Sequence, residues 1–222
     1  NTTGFQNTAT GMNGLFSNTT GGFNTTTGMN SLWLNTTGSL NSSFGAYTFE
    51  NNVTGNSNAG LGSSALRTNV AGNNATAVGT NAMYYTNNTA TPFTNTNVAV
   101  GFEALRGSTT ASENTGLHNT ALGYQTLLNN TTGQQNTATG MNGLYANTTG
   151  SLNTANGMNS LIANTTGNYN SVLGAYSLNA NVTGTSNVAV GTNALATNVA
   201  GNNATAIGTN AMYYANNTVT PF

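Results

Sequence analysis

Cysteine, lysine and aspartate are absent from this chain, proline occurs twice, and only 2% of the residues are charged. Each shortage excludes something. Without cysteine there is no disulfide framework. Two arginines, Arg67 and Arg106, with a net charge of −1 leave no basic footprint for nucleic acid. No apolar run approaches the roughly 18 residues of a membrane span. Lacking aspartate, the chain cannot build aspartate-lined calcium turns or the acids of polysaccharide-cleaving solenoids, and no cofactor or metal is expected. Glu103, Arg106, Glu113 and His118 are the remaining candidates for acid–base work. Glu103 with Arg106 reads as a surface ion pair and His118 as a residue beside a turn, so no catalytic residue is assigned and no enzyme is expected.

What the chain does contain is repetition. Asn187-Val-Ala-Val-Gly191 followed by Leu195 has relatives at Asn7 to Leu15, Asn97 to Leu105 and Asn119 to Leu127. Twelve such units begin at positions 7, 24, 41, 58, 75, 97, 119, 136, 153, 170, 187 and 204. The common step is the one from Asn7 to Asn24, a 17-residue rung; the steps from Ala75 to Asn97 and from Asn97 to Asn119 are 22-residue variants. The third position is small throughout most units, as in Ala9, Thr26, Ser43 and Ala77. The ninth is large and apolar, as in Leu15, Leu32, Phe49 and Met83. The tenth is mixed: Phe16, Trp33, Glu50, Arg67, Tyr84. Turn formers follow, as in Asn18-Thr-Thr-Gly21 and Asn147-Thr-Thr-Gly150.

A repeat this short, rich in Gly, Asn and Thr, has too few residues and too few helix formers for a helical solenoid. Short strands joined by turns fit, and the spacing predicts an all-β, β-solenoid fold of stacked rungs over residues 1–222. A longer period overlies the first: Thr68 to Phe93 returns as Thr197 to Phe222 with three changes. The array thus divides into super-repeat units 1–129 and 130–222, the second incomplete. It reads as a window onto a longer array.

A core of one apolar column per rung, supplemented by an uneven fourth-position row, is thin. The small third row looks like a surface that another backbone approaches, which predicts self-association as a homotrimer or filament. The sequons at Asn18, Asn35, Asn52, Asn147, Asn164 and Asn181 are open to glycosylation, but the same asparagines serve as turn formers and could bond up the stack as amide ladders.

The inserted segments hold the candidate ligand contacts. Tyr84, Tyr85 and Phe93 recur as Tyr213, Tyr214 and Phe222, beside the only prolines. Aromatic faces among amides and hydroxyls suit glycan stacking; closure of a protruding loop is the plainer reading, as simple packing is for Trp33.

Asn74-Ala-Thr-Ala-Val-Gly79 and Asn203-Ala-Thr-Ala-Ile-Gly208 resemble the N-S-V-A-I-G repeat of the YadA-like heads of trimeric autotransporter adhesins. The whole rung from Asn119 to Gly133 is similar to repeats in bacterial tail-fibre-like proteins. The resemblance covers nearly the whole chain and implies a trimeric, left-handed β-roll at a cell or virion surface. The expected function is therefore the adhesive or structural shaft of an extracellular fibre. The alternative is an ice-binding solenoid, prompted by Thr8-Ala-Thr10 and Thr25-Thr-Thr27 but interrupted on the same row by Phe44, Leu61 and Val78.

Overall fold

The structure, a computed structural model, describes residues 1–86 and 88–215. Over these residues it is all-β apart from one short 3-10 turn, and it falls into two compact units, Asn1–Thr115 and Gly116–Phe222. In the first unit the strands are β1 (Thr8–Thr10), β2 (Thr25–Thr27), β3 (Ser42–Phe44), β4 (Ala59–Leu61), β5 (Gly72–Asn73), β6 (Thr76–Val78), β7 (Phe93–Thr94) and β8 (Val98–Val100). In the second they are β9 (Thr120–Leu122), β10 (Thr137–Thr139), β11 (Thr154–Asn156), β12 (Ser171–Leu173), β13 (Val188–Val190) and β14 (Thr205–Ile207). Within each unit successive rung strands pair in parallel and in register, Thr8 opposite Thr25 and Thr137 opposite Thr154. This is the expected β-solenoid.

The insertion in the first of the longer rungs does not disturb the phase. Thr76 pairs with Val98 across it, and the small β5–β7 ladder restores the corner by pairing Gly72 with Phe93.

Each rung closes on itself through tight corners. The glycine that ends each rung strand has a positive φ, such as +139° at Gly28, where a Cβ would press on Gly45 of the next rung. Two further left-handed residues follow, at the seventh and ninth positions: Asn142 at 57° and Leu144 at 51°. Asparagine tolerates this region, but leucine rarely enters it. Burial holds it there. Leu144, Leu161, Leu178 and Leu195 are wholly buried, and each donates its backbone N–H to the carbonyl just before the next member of the column. The leucine column predicted from the sequence is present.

The third-position row differs from expectation. Ala77, Ala99, Ala121, Ala138, Ala155 and Ala189 are fully buried by their own chain, facing inward toward the leucine column. No other backbone is needed to cover them. They are small because so short a coil leaves room for one large side chain per layer, and even Val172 fits there. The fourth row, expected to supplement the core, points the other way: Phe44, Leu61, Leu122 and Leu173 are exposed, because side chains alternate along a strand.

The rest of the interior is polar. First-position asparagines 24, 41, 58, 119, 136, 153, 170 and 187 are buried, and so are the twelfth-position asparagines 18, 35, 52, 69, 130, 147, 164 and 181. Both sets form ladders. Asn147 Nδ2 donates to Asn130 Oδ1 at 2.8 Å, and Asn164 Nδ2 to Asn147 Oδ1 at 2.8 Å. Asn153 donates its backbone N–H to Asn136 Oδ1 at 3.0 Å and its side-chain amide to the same atom at 3.2 Å. The two ladders meet at one atom per rung: the Gly150 carbonyl accepts from Asn136 Nδ2 and Asn147 Nδ2, both at 2.9 Å. Gly21, Gly38, Gly55, Gly133 and Gly167 repeat the arrangement. A Cβ on Gly150 would stand 2.5 Å from the Gly167 carbonyl oxygen, so glycine is required at that corner.

The sequon asparagines are these twelfth-position residues. Their amides are consumed by the ladder and buried, so the folded chain does not present them for glycosylation.

Replacing Asn147 by Ala should cost about 1–3 kcal/mol of unfolding free energy in a urea titration, the range for stripping partners from buried polar groups. Asn147→Asp should cost more, because a carboxylate faces the Gly150 carbonyl and Asn130 Oδ1 where an amide donated. Thr148→Ala, which removes only a half-buried hydroxyl bond to the Thr165 carbonyl at 3.1 Å, should cost less than either.

Candidate functional site

Four of the five charged residues gather on one side of the first unit. The tenth positions of successive rungs lie over one another, so Glu50, Arg67 and Tyr84, one rung apart from each to the next, form a column. Glu50 is buried and binds Arg67 through its Oε2 and the guanidinium Nε. Arg67 also donates from an Nη to the Tyr84 hydroxyl at 2.6 Å. Its guanidinium lies 5.3 Å from the ring centre of Tyr47 and 5.6 Å from that of Tyr84, a cation between two π faces. Burial draws the Arg67 pKa down, but the hydrogen bond and charge of Glu50, with Tyr84 adding to them, outweigh it and hold the group above its ordinary value. Arg67 is a fixed cation.

Beside this column runs the seventh-position row, with Ser64, Asn81 and Glu103. Between the two rows lies an open groove of about 380 Å³, walled by Arg67, Tyr84, Tyr85, Glu103 and Arg106 together with Ser64 and Asn81. Arg106 also walls the groove, donating to Glu103 at 3.2 Å, so the ion pair read from the sequence exists, part-buried rather than solvated. Its Nε is buried without a hydrogen-bond partner among the described residues. Tyr84 and Tyr85 meet edge to face, their ring centres 4.5 Å apart.

Of the residues singled out in the sequence, Tyr84 and Tyr85 therefore come together at a groove. Phe93 does not join them: its ring lies against Gly72, where it closes the inserted loop. Tyr213 and Tyr214 form a second edge-to-face pair in the other unit, 4.7 Å apart, lining a cleft with Asn210. Phe222 and Pro221 lie outside the described residues. Glu113 sits on the 3-10 turn Ala111–Glu113 and approaches the Ser108 hydroxyl at 3.4 Å, in a loop tied down by Asn114. His118 belongs to the second unit and Glu103, Arg106 and Glu113 to the first. Trp33 is half-buried on the tenth row.

Sequence reasoning did not connect Arg67 and Glu50 to the tyrosines. The signal was available, since a separation of one rung on the tenth row means vertical contact once rungs stack.

Among the described residues no group of three or more His, Cys, Asp or Glu side chains could hold a metal ion, and no helix is long and apolar enough to cross a membrane. No protein-family model, curated protein or solved structure matches the chain.

Arg67→Ala should destabilise the chain more than the double change Glu50→Asn with Arg67→Ala, because the single change strands a buried carboxylate. Urea midpoints of the two variants check this; equal midpoints would mean that Glu50 does not depend on its partner.

Proposed function

We propose that the chain is a structural and adhesive repeat segment of an extracellular fibre, self-associating as a homotrimer or filament and acting without catalysis. The observation that carries the proposal is an apolar stripe on the open strand face of each unit. In the first, Phe44, Leu61, Val78 and Val100 stand in register on β3, β4, β6 and β8. In the second, Leu173, Val190 and Ile207 do so on β12, β13 and β14. Leu61 is 52% exposed and Ile207 72%. An exposed apolar patch of this kind marks an interaction surface. The stripes occupy equivalent places, one super-repeat apart, as Phe44 with Leu173, Leu61 with Val190 and Val78 with Ile207 show. A second copy of the chain, itself nearly uncharged, is the partner such a neutral stripe fits.

Other features support a fibre. A repeat interior lets length grow by adding rungs. A nearly neutral exterior makes attachment insensitive to salt, since few charges are present to screen. Arg67 and Arg106, the sole targets for trypsin-like proteases, are both ion-paired. The ice-binding alternative draws on Thr8, Thr10, Thr25 and Thr27, which stand in register on the strand face. The apolar stripes interrupt that array in both units, which disfavours a match to an ice lattice.

In sedimentation equilibrium the chain should run as a trimer or larger species, at both low and high salt. Leu61→Asn with Leu173→Asn should shift it to monomer while its circular dichroism spectrum stays that of the folded chain. A monomer across micromolar concentrations would sink the self-association reading, and thermal hysteresis in the same sample would replace the adhesive one.

A further inference from the structure

The groove between the seventh and tenth rows of the first unit is chemically furnished beyond what the solenoid needs. The second unit supplies the comparison. One super-repeat on, Tyr47, Asn81, Tyr84 and Tyr85 return as Tyr176, Asn210, Tyr213 and Tyr214, whereas Glu50 becomes Asn179 and Arg67 becomes Ala196. The rungs carrying Asn179 and Ala196 still close: Ala180 N–H reaches the Ala196 carbonyl at 3.1 Å, Asn181 donates to Asn164 and Asn198 to the Gly201 carbonyl, although Asn181 Oδ1 is buried without a partner among the described residues. Burying Glu50 has a desolvation cost that the second unit avoids, so the ion pair is not there to hold the rung.

Resting on the reading of an adhesive surface segment, we propose that this groove is a binding site for a neutral saccharide. Its volume, about 380 Å³, falls within the range of small-molecule sites. Each cation in it is already matched by an acid, Arg67 by Glu50 and Arg106 by Glu103. An acidic sugar would have to displace a carboxylate to gain anything. A neutral hexose has hydroxyls that both donate and accept. The guanidiniums of Arg67 and Arg106 can donate to it, and Glu103 and the Asn81 amide can accept from it. The tyrosine pair offers a ring face to the apolar side of the sugar. Both arginines are pinned before any ligand arrives, which lowers the ordering cost of binding.

Saturation-transfer NMR and titration of the full chain with methyl glucoside, methyl galactoside and galacturonate test the site. At least one neutral glycoside should bind, more tightly than galacturonate. Glu50→Asn with Arg67→Ala, which installs the second unit's residues and so should fold, should weaken that binding about tenfold or more, as loss of a charge-assisted hydrogen bond does. Tyr85→Ala should weaken it as well, with the urea midpoint of each variant measured alongside. Failure of both neutral glycosides to bind would overturn the proposal, as would preference for galacturonate or undiminished binding by the folded double variant. None of these outcomes touches the fibre reading, which the sedimentation experiment decides independently.

Discussion

One glycine carbonyl in each 17-residue rung, shared by two buried asparagine amides, is the contact on which the rest of the solenoid depends. So short a coil encloses too little space for two layers of large side chains. Its interior is instead divided into a leucine column, a small-residue column and two asparagine columns. A buried amide without partners is costly. Asn147, like Asn35, Asn52 and Asn164, finds one partner in its own rung, the glycine carbonyl, and another in the neighbouring rung, the next amide. A lone rung could satisfy only half of this. The ladder therefore makes each layer conditional on the next, which is how a repeat too small to fold alone becomes stable in an array. Where the ladder is interrupted the cost appears: Asn69 Oδ1, the last acceptor before the first insertion, is buried without a partner among the described residues.

The same contact dictates the corners. Asn130, Asn147 and Asn164 can reach their glycine carbonyls only if the chain turns sharply between strand and ladder. That turn uses left-handed residues at the seventh and ninth positions. Asparagine at Asn13, Asn30, Asn142 and Asn159 eases the seventh. Nothing intrinsic eases Leu144 or Leu161 at the ninth; apolar burial offsets a backbone cost of the order of 1–2 kcal/mol each. The leucine column is thus both the apolar core and the counterweight to a strained corner.

Much of this was legible in the sequence, because period and composition are one-dimensional properties. The regular spacing of the rungs, the leucine column, the tolerance of the insertion and the possibility of amide ladders all follow from it. Direction was harder to read. Ala77 and Ala99 are small because they face inward beneath the leucines, yet smallness alone fits equally well with a surface met by another chain. Phe44 and Leu61 are apolar, and apolar residues are normally counted inside. The sequon at Asn147 illustrates the same ambiguity, since the asparagine a glycosylation motif would expose is the one the ladder buries. The groove was missed for another reason. Tyr84 and Tyr85 stood out as a pair near a proline-containing loop, while Glu50 and Arg67 were distant in sequence and became neighbours only once rungs were stacked.

An interior that fixes every rung in the same way leaves the exterior unconstrained. The two units show it. Their corner glycines and buried interior asparagines correspond position by position, while Glu50 and Arg67 in one are Asn179 and Ala196 in the other. Exchanging Glu50 and Arg67 together, as at Asn179 and Ala196, is therefore compatible with the fold, and such paired change on the tenth row is free to be shaped by whatever the surface meets. The chemistry that distinguishes one stretch of this array from another belongs on the seventh and tenth rows and on the open strand face. The apolar stripe recurs in both units, whereas the Glu50–Arg67 pair is replaced by Asn179 and Ala196 in the second. A recurring feature suits contacts between like copies along the whole length. A column that changes from Glu50 and Arg67 to Asn179 and Ala196 suits contacts that differ from one stretch of the array to the next.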